Sequence, residues 1–461
     1  MTHIFHPSVL REYDIRGLVD QTLTEKDAYA IGRAFGTMVK RRHGQKVAVG
    51  YDGRESSPRF AGELVKGLRE TGLHVRLIGQ GPSPLLYYAV KSDKDIDAGI
   101  MITGSHNPSS YNGFKMLFAD KPVFGELVQD IGRIAAGGDY ENGAGDLEEV
   151  DITEAYLERL LKDLIPHDGF HVVWDNGNGA AGDLLTRLTK KLPGKHEILY
   201  GEVDGTFPNH HPDPTVDENL TDLISAVKSS GADLGIAFDG DADRIGVVTK
   251  TGGILRCDIL LALYAQTVLK AHPGAAIVAD VKCSQVLFNE IERLGGKPVM
   301  WKTGHSLIKT KMAETNAPLA GELSGHIFFA DMYYGYDDAL YCAVRLLNVL
   351  TETGKDLDAL TAHLPRLMST PEIRFEVDEE RKFAMVSELQ DNLKSDLPQG
   401  AAFDDIDGVR ISTEDGWWLL RASNTQNVLA CRIEAKDEAG LSRLKTMLKT
   451  QVEKIGCSVP F

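Results

Sequence analysis

The stretch "KVAVGYDGR" (46–54) is an apolar run that ends at Asp52 and is followed by a helix-like segment. The same arrangement recurs in "FHVVWDNGNGA" (170–180) and "AAIVADVKCS" (275–284), where an aspartate again ends the apolar run. Short apolar runs that alternate with helical patterns are typical of largely parallel sheets covered by helices on both faces. We therefore predict one α/β unit that the chain uses three times.

A second strand follows each of these units after a helical segment and a glycine, in "HVRLIGQGPSP" (74–84), "HEILYGEVDGTFP" (195–207) and "KPVMWKTGHS" (297–306). The last part of the chain differs, because 407–435 alternates like antiparallel strands and 438–456 has the period of an amphipathic helix. The predicted fold class is α/β, with three related domains that have mixed sheets and a smaller α+β C-terminal domain. Their predicted bounds are 1–150, 151–252, 253–366 and 367–461.

The composition excludes several classes of function. The 461 residues are 43% apolar and 25% charged, which is ordinary for a globular protein, and no run approaches the ~20 apolar residues of a membrane span. A net charge of −17 argues against nucleic-acid binding. The five scattered cysteines form no C-x-x-C pair, so we expect reduced thiols. Without an apolar signal core at the start of the sequence, we expect a cytoplasmic protein.

The first candidate loop lies in "AGIMITGSHNPSSYNGFKM" (98–116), where an apolar strand ends at "TGSHNP" with Ser105 at its centre. Thr103 and Asn107 stand where the elbow of an α/β-hydrolase needs glycines, so that interpretation fails. A serine can instead carry a phosphoryl group, whose charge needs a cation nearby. A plain turn at Asn107-Pro108 is the alternative.

The second loop, in "GIAFDGDADRIG" (235–246), places three aspartates at alternate positions after an apolar strand: Asp239, Asp241 and Asp243. Carboxylates this close repel one another unless a hard cation binds them, and Mg²⁺ prefers oxygen ligands. An EF-hand is excluded because Arg244 and Lys250 replace its required glycine and glutamate. An aspartyl-phosphate phosphatase and a solvated acidic turn are the alternatives.

The third loop, "LAGELSGHIFF" (319–329), carries Glu322, Ser324 and His326 between two apolar runs. A carboxylate and a hydroxyl at alternate positions can bind vicinal hydroxyls of a sugar, and the neighbouring glycines let a ligand approach the backbone closely. A helix cap or a tight turn is the alternative.

The fourth loop, "LLRASNTQN" (419–427), follows a strand of the C-terminal domain. Arg421 offers a planar fork for a phosphate, and Ser423, Asn424 and Thr425 add neutral donors. An ordinary asparagine turn is the alternative.

Taken together, "TGSHNP", "DGDADR", "GELSGH" and "RASNT", with "EYDIRG" (12–17) as a fifth match, resemble the α-D-phosphohexomutase superfamily over essentially the whole chain. The resemblance implies a heart-shaped protein of four domains around a central cleft. It also implies a phosphorylated serine at Ser105 and a Mg²⁺ ion held by the phosphoserine together with Asp239, Asp241 and Asp243.

The resemblance extends to the substrate contacts. Glu322 and Ser324, with His326 in the same loop, correspond to the sugar site. Arg421, Ser423, Asn424 and Thr425 correspond to the site for the phosphate that is not transferred. The groups around the transferring phosphate correspond to Tyr13, Arg16, His106, Lys115 and Arg244, and further substrate contacts correspond to Lys282 and His305.

The sugar loop "GELSGH" is closest to the G-E-M-S-G-H form of the bacterial phosphomannomutase/phosphoglucomutase group, with Leu323 in place of Met. Phosphoglucosamine mutases typically carry Gln there. The phosphate loop departs from the group's pattern, because Asn427 stands where a proline is usual. The departure concerns the preferred sugar rather than the reaction.

The implied reaction is reversible transfer of a phosphoryl group between O1 and O6 of mannose and glucose phosphates, with a hexose 1,6-bisphosphate as intermediate and activator. Lys115 is the predicted base because nearby cations would lower its pKa; His106 is the second candidate. The partners are hexose phosphates, with no nucleic acid and no membrane, and the chain is a monomer or a small homo-oligomer. Three other functions remain: phosphoglucosamine mutase, metal-dependent sugar phosphatase with Asp239 as nucleophile, and a silent sugar-phosphate-binding protein.

Overall fold

The structure is a computed structural model that describes residues 2–378, 380–424 and 427–461. Its first sheet has the strand order β1-β5-β4-β2-β3-β6. The strands are β1 Ile15–Leu18, β2 Lys46–Tyr51, β3 His74–Gln80, β4 Ala98–Ile102, β5 Tyr111–Phe118 and β6 Leu147–Glu149. The accompanying helices are α1 Glu25–Arg41, α2 Ser57–Arg69, α3 Ser83–Ser92 and α4 Glu126–Gly137.

The second sheet has the order β11-β10-β9-β7-β8. The strands are β7 Phe170–Asp175, β8 Gly194–Leu199, β9 Leu234–Phe238, β10 Ile245–Thr249 and β11 Ile254–Leu255. The helices around it are α5 Thr153–Leu161, α6 Gly182–Thr189 and α7 Thr221–Ser230, with a 3₁₀ turn at Asp217–Leu220.

The third sheet has the order β13-β12-β14-β15. The strands are β12 Ala276–Asp280, β13 Lys297–Trp301, β14 Leu319–Gly321 and β15 Ile327–Phe329. The helices are α8 Cys257–Ala271, α9 Gln285–Arg293, α10 His305–Thr315, α11 Ala339–Thr353 and α12 Leu357–Thr361.

The predicted repeat is present as a shared core of four strands. In each of the three sheets the first strand of the unit (β2, β7 or β12) lies between two parallel neighbours, and a fourth strand then pairs antiparallel with the third. Because the fourth strand runs antiparallel to the third, a short loop at the carboxyl end of the third strand connects the two. These equivalent loops are 103–110, 239–244 and 322–326, and they contain the first three sequence motifs.

One continuous apolar cluster joins the first three sheets. Leu86 of α3, Trp174 of β7 and Leu261 of α8 belong to the same cluster, and all three are buried. Burial of these apolar side chains stabilises the relative placement of the sheets, since apolar area removed from water contributes about 25 cal/mol per Å². The three loops are therefore carried on one packed body.

The C-terminal domain has its own sheet and its own core. Its strands are β16 Met368–Ser369, β17 Ile373–Glu376, β18 Ala402–Asp404, β19 Val409–Thr413, β20 Gly416–Ala422 and β21 Val428–Ala435, and its helices are α13 Lys382–Ser395 and α14 Glu438–Lys454. All its strand pairs are antiparallel, as the alternating pattern predicted. A hairpin joins β19 to β20, with Glu414 and Asp415 at its turn.

Contact between the C-terminal domain and the third sheet is small in apolar area and rich in polar groups. A separate cluster of Val281, Trp417 and Leu419 forms the apolar part. Around it, Arg410 donates to the carbonyl of Val281 at 2.7 Å and Arg432 donates to the carbonyl of Lys282. Interfaces of this kind resemble those between domains that move relative to one another. No helix in the described ranges is both long and apolar enough to cross a bilayer.

Candidate active site

Ser105 lies at the carboxyl end of a fully buried strand, β4, with a backbone φ of 51°. This left-handed conformation costs a non-glycine residue about 1–2 kcal/mol. The hydroxyl donates to Asp239 Oδ2 at 2.9 Å and lies 3.2 Å from His106 Nδ1. The first loop therefore brings its serine into contact with the second loop and with the imidazole of His106, which can carry a proton.

The three aspartates of the second loop form one buried acidic group. Oxygens of Asp239, Asp241 and Asp243 lie within 4.8 Å of one another, and all three side chains are buried. Burial and the charges of Asp243 and Asp241 raise the pKa of Asp239 well above its ordinary value. Asp241 Oδ1 and Asp243 Oδ1 have no hydrogen-bond partner among the described residues. Such a set of buried, mutually repelling oxygens suits a hard divalent cation.

Lys115 on β5 occupies a different electrostatic setting from the one that the sequence predicted. Its ammonium lies 2.7 Å from Asp241 Oδ2 and 2.5 Å from Asp243 Oδ2. Burial disfavours the charged form, but the two carboxylates more than offset this and hold the pKa of Lys115 well above its ordinary value. The expected lowering by nearby cations is therefore wrong for this arrangement, since the nearest charges are negative.

His106 is the neutral base candidate of the site. Burial, followed by the charges of Arg244 and Arg16, lowers the pKa of His106 well below its ordinary value. Arg16 itself is half-buried and forms an ion pair with Asp14. A neutral imidazole within reach of the Ser105 hydroxyl can accept its proton.

Arg244 joins the second loop to the third. Its Nε donates to His326 Nε2 at 3.0 Å, while its backbone N–H donates to Asp239 Oδ1 at 3.1 Å. On the other side of the ring, His326 Nδ1 lies 3.0 Å from Asp337 Oδ2, and the ring of His305 stacks on that of His326 at 5.3 Å. The third loop is therefore in direct contact with the second loop.

Glu322 and Lys282 are buried, whereas Ser324 is half-buried. Glu322 Oε1 accepts from the backbone N–H of Gly304 at 2.6 Å, and burial raises the pKa of this carboxyl group. The Lys282 ammonium lies 3.4 Å from Glu372 and, against the effect of burial, lowers the pKa of Glu372 to about 2.

Residues of the fourth loop meet the first domain through Tyr13. The Tyr13 hydroxyl accepts from Asn424 Nδ2 at 2.6 Å and donates to the carbonyl of Thr303 at 2.9 Å. Arg421 is buried and its Nε donates to Asp407 Oδ2 at 2.9 Å. Ser423 is buried beside it, and Thr425 lies outside the described residues. The structure thus brings one residue set from all four domains into continuous contact.

Sequence reasoning missed several residues that hold these loops. Asp52 Oδ2 accepts from Gly104 N and Asp280 Oδ1 accepts from Leu323 N, so the aspartates at the repeated strand ends anchor the first and third loops. The repeat of the aspartate was the signal that could have identified them. Ser83, which hydrogen-bonds to Asp241, and Asp337 carried no comparable signal.

Comparison with known proteins agrees with this arrangement. Four family models match in order: phosphoglucomutase/phosphomannomutase alpha/beta/alpha domain I over residues 8–140, domain II over 154–252, domain III over 256–367 and the C-terminal domain over 372–451. The chain is 46% identical to a phosphomannomutase/phosphoglucomutase of Pseudomonas aeruginosa, over 98% of this chain and 97% of that protein. It is 40% identical to a phosphoglucomutase of Neisseria gonorrhoeae, over 96% of each.

A solved structure gives the same result. The crystal structure of a phosphoglucomutase/phosphomannomutase family protein from Burkholderia thailandensis superposes with a TM-score of 0.94 at 41% identity, covering 99% of this chain and 100% of that one. The fold and the site thus define a phosphohexomutase-type protein of four domains. The chain belongs to the phosphoglucomutase/phosphomannomutase family.

Proposed function

We propose that the chain catalyses reversible transfer of a phosphoryl group between O1 and O6 of hexose phosphates, through a phosphoserine at Ser105 and a 1,6-bisphosphate intermediate. The single observation that carries the proposal is the contact between the Ser105 hydroxyl and Asp239, 2.9 Å apart, at the edge of a buried acidic triad. A nucleophile beside a divalent-cation site is what phosphoryl transfer requires.

The residues present fit a Mg²⁺ ion. Asp239, Asp241 and Asp243 offer only oxygen ligands, and two of their buried oxygens have no hydrogen-bond partner within the described ranges. Phosphorylated Ser105 would add a further oxygen ligand. When bound, Mg²⁺ neutralises charge that develops on the transferring phosphoryl group.

In the forward half-reaction the P–O bond to Ser105 Oγ breaks while a P–O bond forms to the free hydroxyl of a hexose 1-phosphate. The sugar hydroxyl loses its proton and Ser105 Oγ gains one, so the hexose 1,6-bisphosphate and a free serine result. His106 takes up the Ser105 proton when Oγ becomes phosphorylated and returns it when the phosphoryl group leaves, because its Nδ1 lies 3.2 Å from Oγ. Arg244 supplies positive charge. Uptake of the sugar hydroxyl's proton by Lys115 remains a prediction, and it requires a neutral Lys115, whereas Asp241 and Asp243 hold this side chain charged in the structure. The second half-reaction runs these steps in reverse on the other phosphate.

The sugar is held by the third loop. Glu322 and Ser324 bind vicinal ring hydroxyls, and His326 lies between them and Arg244. Lys282 and His305 line the same side. Because the bisphosphate must turn around between the two half-reactions, these contacts have to serve both poses of the sugar.

The phosphate that is not transferred binds to Arg421, Ser423, Asn424 and Thr425, and Tyr13 contacts this loop through Asn424. Arg16 lies instead near His106, on the side of the transferring phosphate. Asp407 and Glu372 form ion pairs with the nearby cations Arg421 and Lys282. A dianionic phosphate can replace these carboxylates as partner of the same cations. The small interface of the C-terminal domain lets this site open while the sugar turns.

Replacing Arg421 by alanine is expected to raise KM for glucose 1-phosphate by about 10–100-fold, because a charge-assisted hydrogen bond to phosphate contributes about 1.5–3 kcal/mol. kcat should change far less, since the site does not touch the reacting atoms. Steady-state kinetics measures both. Arg443→Ala is the control, because Arg443 forms a similar pair with Asp415 on the surface of the same domain. An unchanged KM for Arg421→Ala would remove this residue from the phosphate site.

Glucose 1-phosphate and mannose 1-phosphate are expected to react with kcat/KM values within about tenfold of each other, since the proposed contacts grip hydroxyls other than that at position 2. The assay compares both with glucosamine 1-phosphate, using Mg²⁺ and a bisphosphate activator. Preference for glucosamine 1-phosphate would instead identify a phosphoglucosamine mutase. Release of inorganic phosphate without an activator would identify a phosphatase.

The setting of the enzyme is also part of the proposal. The described cysteines are all unpaired and four of them are buried, which agrees with reduced thiols and with a cytoplasmic enzyme. The partners are small hexose phosphates, and the chain acts as a monomer or a small homo-oligomer.

A further inference from the structure

Arg54 lies behind the Ser105 loop, where none of the proposed catalytic steps uses it. It follows β2, at the start of the segment that leads to α2, and its side chain is 1% exposed. A guanidinium is costly to bury unless its donors are matched. The hydrogen-bond partners of this side chain therefore indicate its role.

All five N–H donors of Arg54 have acceptors. Nε donates to Asp52 Oδ2 at 3.1 Å. The four remaining donors bind main-chain carbonyls of the Ser105 loop: Ser105 at 2.8 Å, Asn107 at 2.6 Å, Pro108 at 2.6 Å and Tyr111 at 2.9 Å. A guanidinium carries five donors in a fixed planar fork, whereas an ammonium carries three at one point. No other side chain can make this set of contacts.

The surroundings of Arg54 are shaped to admit the guanidinium. A Cβ atom added at Gly104 would lie 2.4 Å from Arg54 Cζ, so only glycine fits beside Ser105. A segment of the second domain closes the other side, with Gly205 against the Arg54 backbone and the ring of Phe207 5.1 Å from Cζ. Arg54 is thereby enclosed between the Ser105 loop of the first domain and a segment of the second domain.

We propose that Arg54 is the positioning residue that holds Ser105 in its left-handed conformation and at a fixed distance from the metal-binding aspartates. The four carbonyl contacts select one loop conformation and offset the cost of the positive φ at Ser105. The inference rests on the proposed role of Ser105 as phosphoryl carrier. It assigns Arg54 no contact with substrate.

Arg54→Lys tests the inference, because it keeps a positive charge beside Asp52 but has too few donors for the loop. We expect kcat to fall about 100-fold, the loss that a misplacement of about 1 Å causes, with KM for glucose 1-phosphate within threefold of wild type. Phosphorylation of Ser105 by glucose 1,6-bisphosphate, followed by mass spectrometry, should slow by a similar factor.

Arg345→Lys is the matched control. Arg345 is also buried and binds a carboxylate, that of Asp331, but it lies on α11 away from Ser105. Both variants should lose thermal stability, while only Arg54→Lys should lose kcat at unchanged KM. If Arg54→Lys is recovered unfolded, Asp52→Asn takes its place, since it removes the carboxylate that orients the guanidinium. For this variant we expect kcat to fall about tenfold while KM again stays close to that of the wild type.

Two results would overturn the inference. One is wild-type phosphorylation and kcat in Arg54→Lys, and the other is an equal loss of kcat in Arg54→Lys and Arg345→Lys. A wild-type enzyme that never acquires phosphate on Ser105 would instead overturn the proposed function, and with it the premise of this inference. The wild-type labelling reaction therefore separates the two failures.

Discussion

Ser105→Ala is expected to lower kcat by about 10⁴-fold or more, because loss of a covalent nucleophile removes the path through the phosphoenzyme. The stability of the fold should change little, since the substitution removes one hydrogen bond to Asp239, whose charge is already disfavoured by burial and by its neighbours. A coupled assay for glucose 6-phosphate measures the turnover. Mass spectrometry after incubation with glucose 1,6-bisphosphate measures the phosphate carried by the chain.

Ser109→Ala is the matched control for this experiment. Ser109 lies four residues further along the same loop and is exposed. This variant should keep wild-type turnover and should still be phosphorylated at Ser105. Near-normal turnover by Ser105→Ala, or phosphate on another residue of that variant, would contradict the phosphoserine mechanism.

The repeated α/β unit was predictable because its signal is local. Apolar runs that end in Asp52, Asp175 and Asp280 mark strands, and the periodicity of the sequence reports burial directly. The prediction did not extend to what these aspartates do. Asp52 and Asp280 hold loops that are far away in sequence, and such contacts depend on strand order, which the sequence does not display.

The charges that surround each site residue were less predictable from the sequence than the identity of these residues. Lys115 was expected among cations, but strand β5 runs antiparallel to β4 and places its ammonium between Asp241 and Asp243 of another domain. The sign of its pKa shift follows from that placement. Arg54 was missed for a related reason, because its partners are main-chain carbonyls, and these are present at every residue and leave no trace in the sequence.

Removal of metal is expected to abolish activity, and Mg²⁺ should restore it in the wild-type protein but not in Asp239→Asn or Asp241→Asn. Mg²⁺ at about 100 times its Kd should stabilise the wild-type fold by about 2.7 kcal/mol. Thermal unfolding with and without the ion measures this difference. In both variants the ion should raise Tm much less, since each lacks one of the three carboxylates.

In the absence of the metal, Asp239→Asn and Asp241→Asn should change Tm in opposite directions. Asp239 is disfavoured as an anion by burial and by Asp243 and Asp241, so Asp239→Asn should raise Tm of the metal-free protein. Asp241 instead forms an ion pair with Lys115 and accepts a hydrogen bond from Ser83. Asp241→Asn should therefore lower the free energy of unfolding by about 1–3 kcal/mol, and Tm with it. A lower Tm for metal-free Asp239→Asn would contradict the view that the aspartates repel one another until a cation binds. Full activity after exhaustive chelation would contradict the metal site itself.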